Sequence, residues 1–299
     1  MKFICTSVFI LSAYFLFGQQ ETIFNHFWNN QTHFNPAFAG LEYRHQAGAL
    51  YRSQWQNVNG APEDIYGFYN ARLIDHLGVG INFNYGTIGF RTSYNIAIPI
   101  AYHLQLNDNA ELSLGAAIAF NNEGFDPNFI PPETFNDPNL QVSDEQHLLT
   151  NLGIAFKNEN IRTGVSIRNL TLNQINGNDD FQLARHMYGM FQYRFDIPGW
   201  LPAPIAIYAE ANFGTDFVFS TYQTNARVQY NNQYSLIAGY DFHNGPLFGL
   251  GYDLLEKFRL MYSATLVINQ LSPITDFTHE FSLVYQLPFD HQKPIPLNP

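Results

Sequence analysis

The chain has 299 residues, of which 46% are hydrophobic, 16% aromatic and only 13% charged, whereas an ordinary soluble domain carries about 25% charged residues. A formal charge of −11 with no cluster of lysine and arginine argues against nucleic acid as a partner, because phosphate contacts need concentrated positive charge. The single cysteine, Cys5, excludes a disulfide framework and, once the leader that carries it is removed, a catalytic thiol.

Residues 1–18 begin with Lys2 near the start, run almost without interruption through apolar residues from Phe3 to Phe17, and end on Gly18. That order predicts a cleaved export signal, and the run is shorter than the ~20 residues of a spanning helix. Cys5 opens the run, whereas a lipid-attachment cysteine would close it. Cleavage removes Lys2 and moves the formal charge from −11 to −12. Residues 19–43 form a lead-in around "NNQTHFNPAFAG", Asn29 to Gly40. Pro36 lacks a ladder donor and biases Asn35 toward extended geometry, so no strand passes through here. "PAFAG" suits one helical turn, opened by Pro36 and ended by Gly40.

From residue 44 to 289 the pattern has period two, and no run of 18 apolar residues occurs past Gly18. In "ELSLGAAIAF" Leu112, Leu114, Ala116, Ile118 and Phe120 face one way and Ser113, Gly115, Ala117 and Ala119 the other, so one face is bulky and one small. "GVGINFNY" repeats the split, and "IRTGVSIR" and "HMYGMFQYRF" place Arg162, Arg168 and Arg194 on the polar face, with Arg185 just ahead expected to join them. The pattern predicts strands near 44–55, 64–73, 77–86, 90–104, 111–121, 148–156, 161–169, 184–195, 203–213, 217–230, 233–242, 246–254, 257–268 and 278–288. Fourteen is an even number, as single-chain outer-membrane barrels have. If the first strand runs outward, the connections "LIDH", "NDNA", "KNEN", "DIPGWLP", "NN" and "LEK" fall on the periplasmic side and are all short. The two longest connections, 122–147 and 170–183, then fall outside, which is the loop asymmetry of such barrels. Tyr51, Trp55, Tyr66, Tyr69, Tyr230, Tyr234, Tyr240 and Tyr252 lie near strand ends and suit interfacial girdles. The expected architecture is all-β: a transmembrane antiparallel β-barrel of about 14 strands, entered through the lead-in and followed by a tail, residues 290–299.

Chemistry leaves little trace. Ten histidines occur without a ligand-spacing motif, and neither a GxSxG elbow nor a phosphate-binding loop is present. The acidic connection with Glu123, Asp126, Glu133, Asp137, Asp144 and Glu145 lacks the calcium-loop spacing. No catalytic residue, metal or cofactor is expected, although a barrel hydrolase assembled from neighbouring strands would leave no local signature.

"FNPAFAG" directly after a leader resembles the N-terminal signature of the PorP/SprF family of type IX secretion membrane proteins. "YRSQWQNVNGAPEDIYGFYNARL" is similar to that family's first hairpin through Tyr51, Arg52, Gln54, Trp55, Gly60, Ala61 and Pro62. The run from Gly78 to Phe120, "RHMYGMFQYRFDI" and "THEFSLVYQL" resemble its later landmarks. Phe38 stands where the family commonly has tyrosine. The resemblance implies an outer-membrane, multi-pass barrel of the Bacteroidota secretion apparatus that supports secretion or surface attachment of an adhesin, gliding adhesins included. Its implied partners are a secreted surface adhesin, periplasmic components of the apparatus and outer-membrane lipid. Asn35, Pro36, Phe38, Gly40, Tyr51, Arg52, Trp55, Arg185 and His186 are the implied partner-binding residues, with the opening stretch at the periplasmic mouth or inside the lumen. A passive or solute-selective channel is the alternative, suggested by Gly, Asn, Ser and Arg on the inner face.

Overall fold

In the computed structural model, residues 23–126, 145–176, 183–199 and 203–289 are described. Strands β1 (His45–Ser53), β2 (Glu63–Ile74), β3 (Leu77–Ile88), β4 (Arg91–Asn107) and β5 (Ala110–Phe125) form one meander. β6 (Glu145–Lys157), β7 (Ile161–Arg168), β8 (Leu172–Asn176), β9 (His186–Ile197) and β10 (Ile205–Thr215) continue it. β11 (Ser220–Tyr230), β12 (Tyr234–Asp241), β13 (Gly245–Leu254), β14 (Phe258–Leu266) and β15 (Phe277–Leu287) complete the wall. All pairings are antiparallel, and β1 pairs with β15 while β5 pairs with β6, so the sheet closes on itself.

Fifteen runs make fourteen wall positions. β6 pairs with β7 along Leu152–Lys157 and with β8 along Gln146–Leu149, so β7 and β8 lie end to end in one place. The break between them falls at Asn169, whose φ of 57° interrupts the ladder and whose N–H donates to Asn151 Oδ1 at 3.0 Å. Asparagine tolerates this left-handed geometry better than most residues. β8 thus occupies part of the connection expected to be wholly loop. Glu133, Asp137 and Asp144 of the acidic connection, the leader and the tail lie outside the described residues.

Alternation along each strand sorts side chains between two environments. Ile65, Ile81, Ile98, Ile118, Val165, Phe191, Phe248 and Leu250 are exposed on the outer wall, while Asn70, Asn82, Ser113, Asn151, Gln192, Asn212, Ser263 and Glu280 are buried inside. Apolar-out and polar-in is the arrangement a lipid-embedded barrel requires, because closure leaves no backbone edge unpaired in hydrocarbon. At the short-turn end the outer wall carries a series of aromatic pairs: His45 stacks on Tyr69, while His76 with Tyr102, Tyr234 with Tyr252 and Phe258 with Tyr285 pack at a tilt. Two expected girdle residues are placed elsewhere. Tyr66 shares parity with Asp64 and Phe68 on the inner face of β2 and is 1% exposed, and Trp55 belongs to the β1–β2 connection. Arg185, expected inside, is exposed, because it shares the parity of Met187 rather than of His186.

Candidate functional site

The lead-in occupies the lumen. Phe24, Phe27, Phe34, Ala37, Phe38 and Leu41 are buried and pack in one cluster with inner-face residues Leu50, Tyr66, Phe68, Tyr188, Met190 and Val284. A small apolar core therefore forms inside a polar cylinder, which explains why a few inner positions are large and greasy. Trp28 stands edge-on to Phe38 at 6.2 Å, and His33 edge-on to Tyr66 at 4.9 Å.

The path runs from the long-loop end downward. Near the top, the backbone N–H groups of Asn25 and His26 donate to the two oxygens of the Glu280 carboxylate at 2.7 and 2.8 Å, and Arg52 Nη1 donates to Glu280 Oε2 at 3.2 Å and to Asn25 Oδ1 at 3.0 Å. Asn25 Nδ2 further donates to Ser263 and Thr265 hydroxyls. Midway, the short helix α1 (Gln31–Phe34) places Thr32 to donate to Asn82 Oδ1, and Ser166 donates to the Phe34 carbonyl. At the bottom, Glu42 pairs with Arg162 and the Leu41 carbonyl accepts from Lys157 Nζ at 2.8 Å, after which the chain turns into β1. Arg72 pairs with Glu111, and Arg72 and Lys157 lie 5.3 and 5.8 Å from the Phe289 ring, so cations and an aromatic crowd the short-turn mouth.

The NPAFAG turn is held most closely. Asn35 caps a 3-10 turn over Pro36–Phe38 by accepting from Ala37 N at 2.9 Å, with Pro36 first in the turn as expected. Asn35 Nδ2 also donates to the Ile154 and Val165 carbonyls at 3.0 and 3.2 Å. Gly40 has φ of 69°, and a Cβ there would press on the Ala71 carbonyl. The wall makes room in the same way: a Cβ on Gly115 would collide with Ala37 and Pro36, one on Gly153 with Asn35, and one on Gly78 with the Ala39 carbonyl. The small inner faces of β3 and β5 thus admit the lead-in backbone, and that of β6 admits the Asn35 side chain and the Pro36 ring. Asn35→Ala is expected to leave the Ala37 N–H without its acceptor and to cost about 1–3 kcal/mol of lead-in stability. Faster hydrogen exchange across residues 31–41, with strand exchange unchanged, would register it.

Above the lead-in, at the long-loop end, lies a cavity of about 500 Å³. Its lining includes Ile23, Arg52, Trp55, Asn84, His186 and Gln223, and charges of both signs, Asp64, Arg91, Arg168 and Asp241. Trp55 Nε1, Asn84 Oδ1, Arg52 Nε and Gln223 Oε1 are buried there without a hydrogen-bond partner among the described residues. Beneath it, a second void of about 10 Å³ among Thr32, Tyr66, Asn82 and Asn151 has room for roughly one water. Among the described residues no group of three His, Cys, Asp or Glu is arranged to hold a metal ion.

The residues singled out in the sequence divide accordingly. Asn35, Pro36, Phe38 and Gly40 come together as the buried turn of the lead-in, inside the lumen rather than at its mouth. Arg52, Trp55 and His186 line the upper cavity. Tyr51 points outward, 38% exposed, and Arg185 is exposed just ahead of β9. Glu280, which joins the first and last parts of the chain, carried only a landmark in the sequence; an acid on the inner face of the closing strand was the available signal.

No curated protein matches the chain in sequence. Among solved structures it is similar to the CymD monoaromatic hydrocarbon channel, with 11% identity and a TM-score of 0.52 over 89% of this chain and 94% of that one. It is also similar to the toluene transporter TodX of P. putida, with 10% identity and a TM-score of 0.49 over 85% of this chain and 93% of the other. The Acinetobacter baumannii outer membrane protein Omp33 matches at 12% identity and a TM-score of 0.46 over 83% of this chain and all of its own, 100%. At 11% identity the likeness to CymD is one of fold alone. Residues 16–285 match the family described as type IX secretion system membrane protein PorP/SprF. A closed fourteen-position wall, a lead-in bearing NPAFAG and a family match over nearly the whole length agree: the chain is an outer-membrane β-barrel belonging to the PorP/SprF family of type IX secretion system membrane proteins.

Proposed function

We propose that this barrel works by binding rather than by conduction: its outer loops and upper cavity hold a secreted surface adhesin, while its periplasmic turns meet the secretion apparatus. The short turns define the periplasmic end and the long connections the outer one, by the usual asymmetry of these barrels. The observation that carries the reading is the filled lumen. A cavity floored by Ile23, His33 and the rest of the lead-in offers a polar, partly unsatisfied surface to the outside, and below it the buried lead-in packs against the inner wall.

In this reading Arg52, Trp55 and His186 contact the partner, whereas Asn35, Pro36, Phe38 and Gly40 act through the shape of the lead-in that forms the cavity floor. Deleting the gene is expected to abolish surface display of one adhesin, and unchanged display of every type IX substrate would refute the role. Pro36→Ser combined with Gly40→Val is expected to leave the wall folded and to weaken partner association, because valine at φ of 69° strains the turn. Normal adhesin display in that variant, with the protein present at ordinary abundance, would remove the lead-in from the function.

A further inference from the structure

One side of the barrel ends in greasy turns. The β10–β11 connection is Asp216-Phe217-Val218-Phe219, with Phe217 65% and Val218 63% exposed, and the β12–β13 connection presents Phe242 at 62%. Loop tips that stand in water are ordinarily polar. These tips also join an unbroken aromatic strip on the outer wall: Phe213 contacts Tyr222 at 5.1 Å, Tyr222 contacts Phe242 at 6.4 Å, and Phe242 contacts Tyr240 at 5.1 Å. The strip is continuous with the lipid-facing Leu236, Phe248 and Leu250 below it.

Strand length gives the same side a low height. Tyr234, the first residue of β12 and one of the aromatic pairs at the short-turn end, lies eight residues before Phe242, which directly follows the strand. At ~3.3 Å per residue and a tilt of ~40°, eight residues climb about 20 Å, less than the ~25 Å apolar band of an outer-membrane barrel. Phe242 therefore falls within the band when Tyr234 marks its lower edge. The same arithmetic from Tyr230 to Phe219, eleven residues, reaches about 28 Å, the level of the outer interface.

The backbone of both turns is furnished for a dry setting. Phe217 N donates to Thr215 Oγ1, Val218 N and Phe219 N donate to Asp216 Oδ1, and Asp216 N donates to the Phe219 carbonyl. In the other turn Phe242 N donates to the Tyr222 carbonyl, and His243 N and Asn244 N donate to Asp241 Oδ1. No backbone N–H from 216 to 219 or from 242 to 244 depends on water, which is the condition for immersing a turn in an apolar medium.

We infer that the β10–β11 and β12–β13 turns are inserted into the outer leaflet of the membrane, so that the barrel's outer rim is sunk to the lipid surface on this side. Thr221, Gln223, Asp241, His243 and Asn244, beside this strip, also line the upper cavity. The cavity is thereby bounded, on this side, by a wall that ends at headgroup level, and a chain approaching along the membrane surface meets it without climbing over a tall loop.

Depth-resolved fluorescence tests the insertion without reference to the secretory role. In a Cys5→Ser background, Phe217→Cys, Phe242→Cys and, as a water-exposed reference in the β1–β2 connection, Asn57→Cys are each labelled with nitrobenzoxadiazole and reconstituted into phosphatidylcholine vesicles. Folding is checked by heat-modifiable migration. Labels at 217 and 242 are expected to be quenched severalfold more by lipid-borne nitroxide than the label at 57, and severalfold less by aqueous iodide. Iodide quenching at both positions equal to that at 57 would overturn the insertion, whatever adhesin display shows. Because one label could perturb its own turn, each of the two positions is read separately, and quenching by iodide at 242 alone would overturn the placement of the β12–β13 turn.

Discussion

Deletion of residues 23–43 is expected to convert a closed barrel into a conducting one. In planar bilayers the intact protein should give no sustained channel steps, and the deletion variant should give large ones of the kind an empty barrel of this strand number produces. The physical basis is occupancy: the lead-in places six buried apolar residues across the lumen, and the void that Thr32, Tyr66, Asn82 and Asn151 line below the upper cavity has room for about one water. A solute channel predicts the reverse order, with steps already present in the intact protein, so the measurement separates the two functional readings directly. Loss of folding in the deletion variant is distinguishable, since an unfolded barrel loses its heat-modifiable migration. The same comparison applied to adhesin display asks whether the lead-in merely closes the wall or also shapes the partner's site.

Glu280→Ala should be the most damaging single substitution of the lumen. The Glu280 carboxylate is wholly buried and accepts from Asn25 N, His26 N and Arg52. Its removal takes from the Arg52 guanidinium, 2% exposed, the carboxylate it pairs with and leaves two backbone donors without acceptors. Breaking one partner of a buried pair costs about 3–5 kcal/mol. The upper lead-in should detach, and proteolysis from the outer side should cut near residues 25–30 while the wall remains intact. Replacing both partners, Arg52→Leu with Glu280→Leu, should recover part of the loss, because the uncompensated charge disappears with its partner. If Glu280→Ala alone leaves the lead-in as protected as in the native protein, the carboxylate is not what holds it.

Much of this was legible in the residues, for a local reason. Side chains two apart in a strand share a face, so the split of "ELSLGAAIAF" into bulky and small sets already distinguished outer wall from lumen, and the structure places Leu114 and Ile118 outside and Ser113 and Ala119 inside. Pro36 and Gly40 likewise announced a turn through their own backbone limits, and the 3-10 turn over Pro36–Phe38 follows. Parity also sets the limit. Nearness to a strand end suggested a girdle for Tyr66, and likeness to the other strand arginines suggested the lumen for Arg185, but the odd or even position decides the face.

What lies inside the barrel was not legible. The small faces at Gly78, Gly115 and Gly153 signalled that something approaches closely, but nothing within a strand says that the visitor is the chain's own beginning. Asn25 and Glu280 are separated by 255 residues, and their hydrogen bond exists only once the wall has closed. The sequence alone determined a lipid-facing, closed, antiparallel wall and the family to which it belongs, since alternation and motif are properties of neighbouring residues. Only the tertiary structure decided that the lumen is filled, that NPAFAG is buried rather than displayed, and that a polar cavity remains above it, because those facts depend on contacts between segments that chain order keeps far apart.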